Sequence, residues 1–350
     1  MKILIVQNSR IPTQAYDDAE QIVVWLGKNL VAKGHEVVFL VKKDSFCPFA
    51  PVLLLDEKRP LGAQIPEDVD FVHFFYHPPA EYLDLRKPYL ITYCENSTTA
   101  ATFDPNTVFL SADHAARHGG EVFVYPGIEL SEYGKVVLDM PRNYFHFLGN
   151  TTWRGKNVHG AIDLASWAGA RLHVIGGSRV NFRKGLRITL SPSARFHGVL
   201  NRDGRNILLN GSKGLIFPII WHEPFGLAVV ESLYFGCPVF GTPYGSLPEL
   251  LCRKPGAEAR KGKWRGQVEA CFSEFGCLSL KRSELVDAIR HSGAFLPHRC
   301  HEYVMDCFQI GRMTNDYLDL YEKVLNGQPL HDTAPSMSVA PEAKFLPLEA

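Results

Sequence analysis

No apolar run in this 350-residue chain approaches the roughly 20 residues that a membrane-spanning helix needs, so no segment reads as a transmembrane anchor. A signal peptide is not apparent either, because Lys2 is followed by only five largely apolar residues before Asn8, too few for an h-region. Charge of one sign is not in excess. The 37 Lys and Arg residues balance 37 Asp and Glu residues, and the pI near 7.2 argues against a protein that tracks a nucleic-acid backbone. Cys-x-x-Cys pairs are missing as well. The eight cysteines (Cys47, Cys94, Cys237, Cys252, Cys271, Cys277, Cys300 and Cys307) read as reduced, mostly buried thiols. The spacings among Cys271, Cys277, Cys300, His301 and Cys307 do not fit a zinc knuckle. These absences lead to an expectation of cytoplasmic residence, no nucleic-acid partner, and membrane contact that is at most peripheral.

What is present is ordinary globular composition, 46% hydrophobic and 21% charged, in a length that suits two domains. Two stretches repeat one pattern. Lys2 to Val6 reads as a strand, Ile11 to Asp18 as a loop, Ala19 to Ala32 as an amphipathic helix closed by Gly34, and Val37 to Val41 as a strand. The same order returns with Tyr144 to Leu148, Gly149 to Lys156, Val158 to Ala168 closed by Gly169, and Leu172 to Ile175. Each stretch is the opening βαβ unit of a doubly wound α/β domain. A hinge is expected between Pro126 and Arg142, where Gly127, Gly134 and Pro141 interrupt regular structure. The resulting division is a Rossmann-like domain over 1–135, a second over 136–304, a helix over 305–327, and a tail over 328–350 whose prolines and small residues predict disorder.

The stretch from Glu223 to Glu231, EPFGLAVVE, carries the most chemistry. Pro224 and Gly226 interrupt regular structure, and Leu227, Val229, Val230, Leu233 and Tyr234 then recur at helical spacing, so a helix should begin near Gly226 or Leu227. The preceding run from Gly214 to Trp221 reads as a buried parallel strand, and Gly236 to Thr242 as a helix stop followed by another strand. His222 to Leu227 would then lie beyond the carboxyl end of a strand, where open parallel sheets bind ligands. The first amides of the helix have no partner within it and suit a diphosphate. The flanking carboxylates only accept hydrogen bonds and suit hydroxyl-rich ligands, one a hexose and the other a ribose.

With its Glu-x7-Glu spacing and the following Gly-Cys-Pro-Val segment, this stretch resembles the retaining glycosyltransferases of family 4, which have the GT-B fold of two doubly wound Rossmann-like domains facing a central cleft. The resemblance extends to MKILIVQ, AKGHEVVFLV, DFVHFF, VYPGIELSEY, HFLGNTTWRGKN and YLDLYEKVL. It implies a nucleotide-sugar donor (UDP- or GDP-sugar), a glycan, lipid-linked or small-molecule acceptor, and no cofactor or required metal. Glu223 would contact the transferred hexose, with Phe225, Gly226, Leu227 and His222 around the sugar and diphosphate. Glu231 would take the ribose, and Lys156 with Arg154 or Asn150 the diphosphate. The last helix would cross back to pack on the first domain.

The chain departs from the family at several positions. Asn150 stands where an arginine is usual, which leaves Arg154 to replace that cation or Lys156 to act alone. Asp17 and Asp18 occupy the usual Gly-Gly positions of the first loop, where they would face a neutral acceptor hydroxyl or cap the following helix. Cys94 takes the place of a histidine, leaving Glu95, Asn96, His73 or His77 as acceptor-side candidates. Asp68 and Asp70 form an Asp-x-Asp, but they precede a strand and so lie at the end away from ligands. Retention would proceed by attack on the donor's own face, with the leaving phosphate taking the acceptor proton. Rival readings are an epimerase or phosphorylase on the same fold, and a non-catalytic binding module.

Overall fold

The computed structural model describes residues 1–12, 18–79, 85–181, 187–188, 191–252, 269–338 and 345–349. In chain order the first elements are β1 (Lys2–Gln7), α1 (Asp18–Ala32), β2 (Glu36–Val41), β3 (Val52–Leu54), β4 (Phe71–Phe74), β5 (Tyr89–Thr92), β6 (Ala101–Thr102), β7 (Thr107–Val108) and α2 (Ala112–Arg117). They are followed by β8 (Tyr144–Leu148), α3 (Val158–Trp167), β9 (Leu172–Ile175), β10 (Val180–Asn181), β11 (Arg187–Ile188), β12 (Ala194–Phe196), α4 (Arg202–Asn210), β13 (Ser212–Phe217), α5 (Leu227–Tyr234), β14 (Val239–Gly241) and α6 (Leu247–Leu251). The last are β15 (Ala270–Ser273), β16 (Gly276–Ser279), α7 (Arg282–Arg290), α8 (Pro297–Cys307), α9 (Ile310–Leu325) and β17 (Ser336–Met337).

The chain divides into two compact units, one of residues 1–128 with 309–341, the other of 129–308 with 342–350. The first holds a sheet in the order β3-β2-β1-β4-β5-β7 with every pairing parallel. β1 is buried from Ile3 onward, as a strand covered on both faces must be. α9 packs on α1 and β5 of this same unit. Its apolar stripe of Met313, Tyr317, Leu320, Tyr321 and Val324 recurs at three- and four-residue spacing, so one face is buried along its length. Tyr321 sits 4.5 Å from the Phe71 ring. The chain leaves this unit after Ile128 and re-enters at Gln309, and the two crossings lie side by side, with the Ile310 N–H donating to the Ile128 carbonyl at 3.0 Å.

The second unit holds a sheet in the order β12-β9-β8-β13-β14-β16-β15, parallel except for the last pair. The strand order runs outward in one direction from β8 through β9 to β12, and in the other from β13 onward. The switch point is therefore between β8 and β13, and ligands of doubly wound sheets bind outside the carboxyl ends of strands at such a point. The loops that follow these two strands are the two the sequence singles out, Gly149 to Asn157 and Pro218 to Gly226.

Three expectations are corrected. The helical periodicity across Met305 to Val324 is shared by two helices, because the chain is extended at Gln309 (φ −77°, ψ 147°). Phe308 stays buried in the second unit against Phe225 and Tyr303, while α9 belongs to the first. The cysteines are not all thiols. Cys252, at the end of α6, and Cys271, on the β15–β16 hairpin, form a disulfide with Cα atoms 6.2 Å apart. Finally, described parts of 328–350 carry regular contacts: β17 pairs with β6, the Phe103 N–H donates to the Pro335 carbonyl, and the His331 ring bonds the Thr107 carbonyl. Proline-rich composition predicts disorder but does not register backbone bonds made to a distant strand.

Candidate functional site

The site is assembled where the loops after β8 and β13 are stitched together. The Ile220 N–H donates to the Gly155 carbonyl at 2.9 Å, and Asn157 Nδ2 donates to the Pro218 carbonyl at 2.8 Å. Asn157 itself caps α3, its Oδ1 accepting from the Gly160 N–H at 3.1 Å. This stitching delivers Lys156 to Glu223. The ammonium Nζ lies 2.7 Å from Glu223 Oε2, and the same oxygen accepts the Trp221 indole N–H at 2.9 Å. Glu223 is 4% exposed. Around the ammonium stand the rings of Phe217, Trp221 and Trp153, with centroids at 5.2, 5.3 and 5.6 Å. The faces of such rings attract a cation.

The backbone behind Glu223 is equally constrained. Gly226 begins α5 at φ +90°, a conformation L side chains rarely adopt, and a Cβ there would sit 3.3 Å from Glu223 Cγ. Gly245, also left-handed, lies so close to the Glu223 backbone that any side chain would collide with it. The neighbouring Ser246 N–H donates to the Glu223 carbonyl at 3.0 Å, and its hydroxyl to the Phe225 carbonyl at 2.5 Å. The result is a carboxylate fixed beside the first turn of a helix, whose end carries partial positive charge.

Glu231 lies one turn into α5 and is 2% exposed. Its Oε1 accepts the Tyr133 hydroxyl at 2.5 Å and pairs with the Arg205 guanidinium of α4 at 2.9 Å. Neither contact uses Oε2. Arg202, one turn earlier on α4, pairs with Glu132 and lies 5.9 Å from the Tyr133 ring centroid. Burial, with Arg205 beside it, lowers the pKa of the Arg202 guanidinium. Tyr133, Arg205 and the two tryptophans are neighbours of the candidate residues that the sequence reading did not name as site residues. Trp153, Trp221 and Tyr133 all stood within stretches the sequence reading quoted, but nothing in the sequence links Tyr133 to Glu231.

The other sequence candidates are dispersed. Asn150 shapes its own loop, its Oδ1 accepting from the Thr152 N–H at 2.9 Å and hydroxyl at 2.7 Å. Arg154 is exposed, with its guanidinium 4.8 Å from the Phe345 ring centroid, so Lys156 and not Arg154 meets Glu223. His222 has its ring 6.0 Å from that of Tyr244. In the first unit, His73 is fully buried between the hydroxyls of Tyr321 and Thr92, both at 2.8 Å. Burial holds its pKa well below the usual value, so it is a neutral core residue rather than a loop ligand. His77 and Glu95 are exposed on the loops after β4 and β5. The Glu95 carbonyl accepts from His114 at 2.8 Å, and Asn96 is held by Arg117, which also pairs with Asp113. Asp17 lies outside the described residues, and of Asp18 only its place at the start of α1 is described. Asp68 and Asp70 both bind Lys2 at the amino ends of β1 and β4.

Among the described residues, no three His, Cys, Asp or Glu side chains converge as a metal site, and no helix is long and apolar enough to cross a membrane.

Residues 132–257 match the family described as glycosyl transferases group 1. No curated protein matches the chain. Solved structures share its architecture at low identity. AviGT4, a glycosyltransferase involved in avilamycin A biosynthesis, superposes with a TM-score of 0.67 at 18% identity, covering 93% of this chain and 98% of that one. Sucrose-phosphate synthase from Thermosynechococcus elongatus gives 0.68 at 14% identity, covering 94% and 100%. HepE from Anabaena, in complex with UDP and glucose, gives 0.61 at 16% identity, covering 92% and 100%. The fold is therefore GT-B, and the matched domain indicates a glycosyltransferase.

Proposed function

We propose that this chain is a retaining glycosyltransferase of family 4 that moves a hexose from a nucleoside diphosphate sugar to an acceptor hydroxyl. The observation that carries the reading is the part-buried Lys156–Glu223 pair, set beside the first turn of α5 at the switch point of the second sheet. In this reading the α5 amides and Lys156 receive the diphosphate, Glu223 hydrogen-bonds the hexose, and Oε2 of Glu231 accepts from the ribose. As the bond between the anomeric carbon and the β-phosphate oxygen breaks, charge grows on the leaving diphosphate. A cation already positioned there stabilises the transition state more than the ground state. The acceptor oxygen bonds to the anomeric carbon on the face the phosphate leaves, and its proton passes to a phosphate oxygen. His77, Glu95 and Asn96 are the acceptor-side candidates that remain at the carboxyl ends of β4 and β5.

A UDP-hexose is the first donor to test, because HepE is solved in complex with UDP-glucose. The charge that a metal supplies in other transferases is assigned here to Lys156 and the helix amides, so transfer is proposed to persist in excess EDTA. Incubation with UDP- and GDP-hexoses and a panel of glycan, lipid-linked and small-molecule acceptors, with the product anomer read by NMR, tests the reading. A product with the donor's anomeric configuration supports it. Epimerised donor without transfer, or an inverted product, contradicts it.

A further inference from the structure

A cavity of about 240 Å³ opens on the second unit at the start of α3. Its walls come from separate stretches of chain: residues 151–154 and 157–159 of the loop and helix start, Ser178 and Arg179 after β9, Phe196 of β12, and Ile220. It adjoins the site described above, sharing Trp153, Asn157 and Ile220 with it, but Lys156, Glu223 and Glu231 are not among its lining residues. Two arginines line it, Arg154 and Arg179, together with the hydroxyl-bearing Thr151 and Thr152 and the imidazole of His159. Among the described residues, no aspartate or glutamate does. A concave surface with charge of one sign and low-dielectric walls focuses its field on an ion of the opposite sign.

Both guanidinium groups are seated. Arg154 lies over Phe345 at 4.8 Å, and Arg179 over Phe196 at 5.6 Å, the latter also donating to the carbonyls of Ser191, at 3.3 Å, and Ala194. A guanidinium fixed in this way loses less freedom when it binds an anion, and its planar fork matches phosphate oxygens. The volume is below the roughly 300–1,000 Å³ typical of pockets for drug-sized ligands, which points to a small occupant. We propose that this cavity is a second anion site, adjoining the donor site but without its Lys156, Glu223 or Glu231, and that its ligand is a sugar monophosphate. The phosphate lies between Arg154 and Arg179, and the sugar hydroxyls face Thr151 and Thr152. The proposal does not depend on the reaction assigned to the chain.

Calorimetric titration tests it, with inorganic phosphate and a hexose 6-phosphate as probes and the free hexose as the uncharged control. The native chain is expected to bind both anions, the hexose 6-phosphate more tightly, and not the hexose. Arg154→Gln and Arg179→Gln should each weaken binding about tenfold or more, the effect of losing a charged hydrogen bond. Lys156→Gln should leave this binding in place. Arg179 also anchors Ser191 and Ala194, so Arg154→Gln, whose contact is a single ring, keeps the test valid if the Arg179 variant misfolds. Three results overturn the proposal: no anion binding by the native chain, binding unchanged by Arg154→Gln, or binding lost in Lys156→Gln.

Discussion

At Glu223 one carboxylate oxygen takes both the Lys156 ammonium and the Trp221 indole N–H. Removing Lys156 therefore takes away a partner of a buried carboxylate and, in the proposed reading, the cation that receives the diphosphate. Lys156→Ala is expected to lower kcat by more than it weakens donor affinity, measured by comparing turnover with calorimetric Kd, because charge on the diphosphate grows during bond breaking. Equal losses in both would assign Lys156 to ground-state binding. At Glu231 two effects have to be separated. Glu231→Ala removes the buried pair with Arg205, so it should destabilise the fold on the order of 3 kcal/mol whatever its role in binding. Glu231→Gln keeps a carbonyl oxygen for the Tyr133 hydroxyl and Arg205, and it isolates the proposed ribose contact. Donor affinity is expected to fall by about 1.5–3 kcal/mol in the Gln variant, the worth of charged hydrogen bonds. Unchanged nucleotide affinity would remove Glu231 from the ribose.

Among the elements, the start of α5 is set by Gly226 at φ +90°. Gly226→Ala would place a left-handed alanine there, at about 1–2 kcal/mol, and would crowd Glu223. Turnover should drop while the far-UV spectrum is retained; retained turnover would mean that Glu223 tolerates displacement. The strands β8 and β9 carry His146 and His173, whose pKa values burial pushes down to about 3 and about 4. Both lie below the ordinary value near 6.5, so the unfolded chain binds protons that the folded chain refuses. The stability from these neutral rings is complete above pH 6.5 and is lost as the pH falls from there toward about 4 for His173 and about 3 for His146, approaching about 1.4 kcal/mol per pH unit for the fully buried His146. Denaturant melts at pH 7 and pH 5 measure it, and His146→Gln should flatten the difference. The βαβ units could be read from the sequence because their apolar periodicity and glycine stops are local. β8 and β9 have the bounds the sequence predicts, and α5 starts at Leu227. The bond between Tyr133 and Glu231, 98 residues apart, has no local signature. Nor does Arg142, expected within a hinge, which donates to the carbonyls of Phe235 and Gly236 at the end of α5.

For the whole molecule, the sequence conveyed the doubly wound class and the motif loops better than the path of the chain. Composition assigned 328–350 to disorder, yet residues 345–349 run along the loops at the carboxyl ends of the second sheet. The Leu346 N–H donates to the Ile220 carbonyl at 2.8 Å, the Glu349 N–H to the Leu280 carbonyl at 2.9 Å, and the Tyr244 hydroxyl to the Pro347 carbonyl at 2.5 Å. Apolar periodicity cannot register such contacts, because they are hydrogen bonds to backbone groups far apart in the chain. The central claim is that a nucleoside diphosphate sugar is bound through Lys156 and the start of α5. Its most direct test is the thermal unfolding of the native chain and of Lys156→Ala across UDP- and GDP-hexoses in EDTA. A donor at 100 times its Kd stabilises the native state by about 2.7 kcal/mol. A rise in the unfolding temperature with one of these donors, reduced in Lys156→Ala, is the predicted result; no shift with any nucleotide sugar, or a shift that appears only when Mn²⁺ is added, would contradict it.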